Sequence, residues 1–343
     1  MIKSNKQINF SSEDFLLVLA VFILFFMLGL SWFFNPNNLV SENKVRLSVI
    51  RGMNLTQLAD SLKNKKLIDS KFAFLIAGKF LNAERTIKAG IYEIPYGLSN
   101  YEYLKIFVHG NNRISVRITL YEGTTLKQLA NQLSKNFPFT AEDFLKAASD
   151  SVLLKKYEID HSSFEGYLLP DTYDFFLDSY PKQIIEKMAS AFKEFYDESI
   201  KPHESRLNLT KNQIVTLASI VEGETNYNPE KKTIAGVYLN RLKHGMKLQA
   251  DPTIAYLIDD GPRRIFYKDL QKSSPYNTYL NYGLPPGPVN FPDRSSLLAV
   301  INAEKHNYFY FVMKPYGQGH NFSRNYREHL FNFRLYRNSL KKR

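Results

Sequence analysis

Two carboxylates stand two residues apart, Glu222 and Glu224, in the stretch Leu217-Ala218-Ser219-Ile220-Val221-Glu222-Gly223-Glu224-Thr225. Burial disfavours an ionised carboxylate, so a Glu in apolar surroundings keeps its proton near neutral pH and can act as a general acid. Thr210 and Gln213 have capping-box spacing, which predicts a helix start. Ile214, Val215, Leu217, Ala218 and Val221 then share one broad apolar arc at the helical period. Glu222, eight residues after Ile214, falls on the edge of that arc, and Glu224 lies towards the other edge. Gly223 reads as a stop signal, which puts Glu222 in the last turn, where the helix dipole disfavours negative charge further. Glu222 is therefore the expected catalytic acid. The plain alternative is an ordinary Glu at a helix end, exposed or paired with a Lys.

The elements around this helix supply polar groups. Asn228-Pro229 predicts an N-cap and a Pro start for a helix through Ile234, Val237, Tyr238 and Leu242, with Asn240 and Arg241 near its end. After His244-Gly245, Gln249 leads to a second cap-and-Pro start at Asp251-Pro252-Thr253, with Tyr256 one turn in. Asn240, Arg241, Gln249 and Asp251 sit between apolar runs, as the lining of a cleft would, and Glu224 and Thr225 join them as candidate contacts. Residues 273–292 are rich in turn formers. They carry Ser274, Tyr276, Asn277, Thr278 and Tyr279, then Gly283-Leu284-Pro285-Pro286-Gly287-Pro288. A long Pro-stiffened loop in a compact domain suggests a binding role. Upstream, residues 164–173 also read as a loop, with Glu165, Tyr167, Asp171 and Tyr173 beside Gly166 and Pro170. Flat tyrosine rings and acidic acceptors suit sugar rings, although such acids can simply cap the next helix. Asp293 is expected to cap a helix through Ile301, followed by a strand over Tyr308–Met313. No His spacing suits zinc and no Gly-x-Ser-x-Gly elbow occurs, so neither a metal nor another cofactor is expected.

The whole chain narrows the classes. Its 343 residues allow two or three domains, and 44% hydrophobic residues exclude a disordered protein. With no cysteine there is no disulfide, thiol catalysis or Cys-based metal site. A net charge of +12 suggests an acidic partner, whether nucleic acid, anionic lipid or an anionic wall polymer. The basic residues are dispersed and no nucleic-acid-binding signature is present, so nucleic acid is not the expected partner.

Residues 15–34 form an uncharged apolar run of bilayer-spanning length, with Trp32 suited to the interface. Lys3 and Lys6 precede it, so residues 1–14 read as a cytoplasmic tail and everything after the span as extracytoplasmic. A cleaved signal peptide fits less well, because the run is long and no small-x-small site follows. The expected location is the cytoplasmic (inner) membrane, single-pass. Residues 35–44 read as a linker.

A repeat follows. Val45-Arg46-Leu47-Ser48-Val49 resembles Val116-Arg117-Ile118-Thr119-Leu120. At the same shift Gly52 meets Gly123, and Leu55, Leu58 and Leu62 meet Leu126, Leu129 and Leu133. Each copy reads as a strand, a Gly turn and an amphipathic helix. Over 45–110 the order strand, helix, helix, strand is that of a LysM-like glycan-binding module, or of a spacer with no ligand. The expected fold class is α+β: the membrane helix, the LysM-like βααβ module, a connecting second-repeat region over 111–205, and an α+β catalytic domain over 206–343.

Taken together, these segments resemble the YceG-like family of endolytic murein transglycosylases. The resemblance rests on Lys88-Ala89-Gly90-Ile91-Tyr92, Glu165-Gly166-Tyr167, Asp171-Thr172-Tyr173, the stretch Ala218–Thr225, and Val237-Tyr238-Leu239-Asn240-Arg241-Leu242. It continues through Leu248-Gln249-Ala250-Asp251-Pro252-Thr253, Ser274-Pro275-Tyr276-Asn277-Thr278-Tyr279 and the 283–288 Pro-Gly run. It implies cleavage of the β-1,4 bond between N-acetylmuramic acid and N-acetylglucosamine in peptidoglycan glycan strands, with Glu222 at the catalytic position. It also implies work beside glycan-polymerising penicillin-binding proteins. One carboxyl suffices for such a reaction, as acid and then base, if the sugar's own 6-hydroxyl closes a 1,6-anhydro ring. Glu224 and Asp251 stand as assistants. Two other readings remain at this point: a non-catalytic peptidoglycan-binding scaffold, and a binder of nucleic acid or anionic lipid.

Overall fold

The computed structural model describes residues 12–37, 43–258, 263–315, 317 and 319–340. The expected cytoplasmic tail lies outside these residues up to position 11, and the expected linker does so over 38–42. The chain divides into two compact units, Met1–Val116 with Phe176–Asp178, and Arg117–Phe175 with Ser179–Arg343. Nearly all of residues 111–205 belongs to the second unit.

The first unit opens with α1 (Ser12–Phe34), which contains the apolar run expected over 15–34. At 23 residues it is long enough to cross a bilayer, and none of its most apolar window is buried in protein. β1 (Val45–Val49) pairs antiparallel with β2 (Gly90–Ile94), Leu47 opposite Tyr92. Between them run α2 (Leu55–Asn64) and α3 (Lys71–Phe80), so the expected βααβ order is present. Capping chemistry fixes the starts. Asn54 and Gln57 close a capping box on α2, and the Ser70 side chain accepts from Ala73 N at α3. α4 (Asn100–His109) is capped by Ser99 and ends at Gly110, whose φ of 77° favours a residue without Cβ. Leu47, Leu58, Leu62, Phe74, Tyr92 and Phe107 form the core, with Tyr92 edge-on to Phe107 at 5.0 Å.

β3 (Ser115–Leu120) pairs with β4 (Asp171–Phe176) in a second two-stranded ribbon. α5 (Leu126–Ser134) repeats α2 in detail, with a Thr125–Gln128 capping box and a Gly turn before it. Gly52 and Gly123 hold φ of 81° and 71°, so the repeat is real at the level of local structure. The second turn is also tied downstream, by Gly123 N to Phe291 O at 3.0 Å and Phe291 N to Thr124 O at 2.8 Å. α6 (Ala141–Ala147), α7 (Ser151–Lys156) and α8 (Pro181–Ser199) follow. The segment expected as a loop over 164–173 becomes strand β4 from Asp171 onwards, with Tyr173 and Phe175 turned inwards.

The rest of the second unit is built on α9 (Lys211–Glu224), α10 (Asn228–Lys243), α11 (Asp251–Ala255) and α12 (Arg294–Ile301), then β5 (Tyr310–Met313), β6 (His320–Ser323) and α13 (Tyr326–Leu340). The Thr210–Gln213 box starts α9 and Asp293 caps α12, both as expected. Gly223 does not stop α9, which runs one residue further to Glu224. Its lack of a side chain serves packing instead, because a Cβ there would lie 2.6 Å from Pro252 Cβ of α11. The caps of α10 and α11 fall one residue earlier than expected, at Tyr227 and Ala250. β5 and β6 pair antiparallel, Tyr310 opposite Ser323.

Candidate active site

The two carboxylates of α9 meet opposite surroundings. Side chains two apart on a helix point roughly 200° away from each other, so the two meet different neighbours. Glu222 follows the apolar arc and is 3% exposed. Its oxygens lie 3.2 and 3.3 Å from Lys231 Nζ of α10, itself 2% exposed. Oε2 also accepts from Asp293 N at 3.0 Å and from Ser296 Oγ at 2.7 Å. Lys231 in turn reaches Asp293 Oδ1 at 3.1 Å and Ser295 Oγ at 2.9 Å. Burial pushes the Glu222 carboxyl up, and the neighbouring Asp293 charge adds to this, against its donors and Lys231. The result is a buried ion-pair clasp joining α9, α10 and the N-terminus of α12. Glu222 lines neither of the two cavities described next.

Glu224, at the end of α9, opens on both. The first has a volume of about 370 Å³, within the range of ligand sites. Its polar lining is Glu224, Arg241, Gln249 and Asp251, and its aromatic lining includes Tyr238, Tyr279, Tyr310 and Phe311. α13 adds Tyr326, His329 and Phe333. The second cavity, about 490 Å³, is lined by Gly223–Tyr227, Met313 and His320 among others. The Tyr238 hydroxyl donates to Glu224 Oε1 at 2.5 Å, and Oε2 has no hydrogen-bond partner among the described residues. Burial pushes the Glu224 carboxyl up to about 7, with Asp251 adding to the rise and the Tyr238 bond and Arg241 opposing it. A carboxyl that titrates near neutrality can both give and take a proton.

Its neighbours are fixed by backbone contacts. Arg241 donates Nε to Phe309 O and Nη1 to Leu248 O, both at 2.7 Å, which ties α10 to the segment before β5 and to the approach to α11. Asp251 Oδ1 takes the Tyr279 hydroxyl at 2.5 Å. Gln249 holds φ at 48°, a left-handed setting unusual for a non-glycine residue, and its N–H donates to Thr278 O at 3.1 Å.

Of the candidates read from the sequence, Glu224, Arg241, Gln249, Asp251 and Tyr279 come together around the first cavity, and Thr225 lines the second. The others lie elsewhere, each for a visible reason. Asn277 and Thr278 are fully buried and hold the loop. Asn277 donates to Leu270 O and Lys272 O, and Thr278 Oγ1 accepts from Ala250 N at 3.0 Å. Ser274 Oγ accepts from Tyr276 N, a turn contact. Asn240 bonds His306 O and Tyr308 O, which anchors α10 to the chain before β5. Glu165 is 3% exposed and accepts Leu126 N on both oxygens, so it serves the start of α5. Burial pushes that carboxyl up to about 8. Tyr256 lies beside it, its ring tilted against that of Tyr276 at 5.1 Å, while Tyr276 reaches His161 Nε2 at 3.2 Å. Tyr167 and Tyr173 are core residues with hydroxyls bound to Asn212 and to Leu169 O. Asp171 pairs with Arg294 at 3.0 Å beside a third cavity of about 290 Å³.

The wall from β5 and α13 was not read from the sequence as a site. Tyr326, His329 and Phe333 recur at i, i+3 and i+7, an aromatic stripe that could have marked it.

Similarity places the chain in a class. The YceG-like family matches residues 47–334, and the chain belongs to that family. An endolytic murein transglycosylase of Bacillus subtilis (strain 168) is 29% identical over 296 residues, covering 81% of each chain. One from Streptococcus pneumoniae serotype 2 (strain D39 / NCTC 7466) is 30% identical over 310 residues, covering 81% of this chain and 55% of that longer protein. The crystal structure of a YceG-like protein from Listeria monocytogenes matches 85% of this chain and 99% of its own, with a TM-score of 0.59 and 31% identity.

Proposed function

We propose that this chain is a lytic transglycosylase of the bacterial wall, anchored by α1, and that Glu224 is its single acid and base. One observation carries the residue assignment: of the two α9 carboxyls, Glu224 is the one that opens on a cavity, with one oxygen engaged by Tyr238 and the other uncommitted. The acid role expected of Glu222 therefore passes to Glu224. Support for the reaction comes from the named relatives and from the mixture of aromatic rings and polar groups, which suits a glycan.

Protonated Glu224 gives its proton to the glycosidic oxygen between N-acetylmuramic acid and N-acetylglucosamine. The C1–O bond breaks with its electron pair on that oxygen. The ionised carboxylate then takes the proton of the muramic 6-hydroxyl as O6 bonds to C1. This closes a 1,6-anhydro ring and returns Glu224 to its starting state. The nucleophile is already tethered, which is its advantage over water. Arg241 and Tyr238 hold Glu224's surroundings, and Gln249, Asp251 and Tyr279 contact the sugars. Cuts inside nascent strands would end glycan elongation, beside the synthases that make them. The anchor has its N-terminus in the cytoplasm, and the chain after α1 lies outside.

A second reading follows from Asp251, which shares the cavity. Two carboxyls across one cleft are what a hydrolysing glycosidase uses. Mass spectrometry of digested sacculi separates the two, since a lytic enzyme leaves anhydro ends and a hydrolase reducing ends. Glu224→Gln should release neither, while Glu222→Gln, if folded, should still release anhydro-muropeptides. Release by Glu224→Gln at the wild-type rate would remove the assignment.

A further inference from the structure

The first unit carries an apolar surface that its own fold leaves uncovered. On α3, Phe72, Ile76 and Phe80 are 64%, 40% and 82% exposed, at i, i+4 and i+8 on one face. The opposite face, with Ala73, Phe74 and Ala77, is buried in the core. An amphipathic helix normally turns its polar side outwards, so this one has two apolar sides.

Its placement against α1 says what covers the second. The Phe72 ring lies 5.9 Å from Trp32, edge-on, and Phe80 lies 5.4 Å from Phe33, also edge-on. Phe72 and Phe80 are roughly 12 Å apart along α3, whereas Trp32 and Phe33 are adjacent on α1. Two such contacts require α3 to cross the last turns of α1 instead of running beside it. Asn100 of α4 locks the same turn, donating Nδ2 to Trp32 O at 2.7 Å. Trp32 sits where an anchor helix leaves the hydrocarbon, at the depth that tryptophan favours. A helix crossing α1 at that level lies near the plane of the membrane surface. Lys79, exposed and three residues after Ile76, edges the apolar face where phosphate headgroups would be.

From this geometry we infer that the Phe72–Ile76–Phe80 face of α3 is a second membrane contact, seated in the outer-facing lipid interface beside α1. It lays the βααβ module on the bilayer, with the face immersed about 5–10 Å into the headgroup and acyl boundary. The contact rests on the reading of α1 as a membrane anchor.

The chain has no native cysteine, so single labels report cleanly. Full-length protein would be reconstituted in phosphatidylethanolamine/phosphatidylglycerol vesicles. A polarity-sensitive fluorophore would be placed singly at Ile76→Cys, Phe80→Cys, Val21→Cys or Thr56→Cys. Val21 reports the anchor and Thr56 an exposed site on α2. The expected result is a blue-shifted emission at 76 and 80, quenched by shallow nitroxide lipids, with Val21 quenched by deep ones and Thr56 by neither. Water-like, unquenched labels at 76 and 80 with Val21 in lipid would overturn the interfacial contact and leave the anchor standing. A water-like label at Val21 would overturn both.

Discussion

The Tyr238 hydroxyl lies 2.5 Å from Oε1 of Glu224 and donates to it. That bond favours the ionised carboxylate and works against burial, the largest influence on the group. An acid catalyst must be protonated, so activity should fall as pH rises through about 7. Tyr238→Phe removes the opposing bond and should move that alkaline limb upwards by about one to two pH units, since a hydrogen bond to a charged group is worth about 1.5–3 kcal/mol. The pH–rate profile of anhydro-muropeptide release measures it. An unmoved limb would mean that Glu224 is not the group being titrated.

The same carboxyl should make the fold sensitive to alkali. Its pKa is raised from an ordinary 4.5 to about 7 in the folded chain, so the folded state holds the proton more tightly than the unfolded one. The stabilisation this gives is complete below about 4.5 and is lost as pH rises through about 7. Glu224→Gln removes the dependence. Relative to wild type it should gain about 1–3 kcal/mol of stability between pH 5 and pH 8, read from urea denaturation at the two values. No change in the difference would show that the site is too well hydrated to shift its acid.

The clasp around Lys231 should matter to folding rather than to chemistry. Lys231→Met leaves the buried Glu222 beside the half-buried Asp293 with no cation between them. A loss of about 3–5 kcal/mol is expected. Glu222→Gln keeps the shape and most donors, so it should cost less and retain anhydro product. Denaturation midpoints together with sacculus digestion test both. Full activity loss in a well-folded Glu222→Gln would return the catalytic role to that residue.

Gly223 gives a steric test of the cleft. Its new Cβ in Gly223→Ala would sit 2.6 Å from Pro252 Cβ and 2.7 Å from Pro252 Cγ, and the proline ring cannot swing aside. α11 must shift, and Asp251, its first residue, shifts with it. A stability loss of about 1–3 kcal/mol is expected, as for other overpacked sites. Activity should drop although Glu224 is intact. Unchanged thermal midpoint and activity would show that α11 gives way without consequence.

Local chemistry was readable in the sequence where the causes are local. The Thr210–Gln213 box, the Asp293 cap and the paired Gly turns of the repeat each depend on a few neighbouring residues. The membrane-length run was equally visible, because bilayer thickness sets its length. What periodicity could not decide was the choice between Glu222 and Glu224. The apolar arc correctly placed Glu222 inside, but burial alone does not say whether a cavity or a cation waits there. Lys231 comes from the next helix and Asp293 from 71 residues further on, and no periodicity announces either. The same limit applies to Tyr167 and Tyr173. Tyrosines beside Gly and Pro read as loop residues until β4 pairs with β3 and turns Tyr173 inwards.

Glu224 ends α9, whereas the aromatic surface across from it comes from β5 and α13, far downstream in the chain. The first cavity is therefore complete only once the last described helix has docked: loss of α13 would take Tyr326, His329 and Phe333 out of its wall while leaving α9 and Glu224 in place.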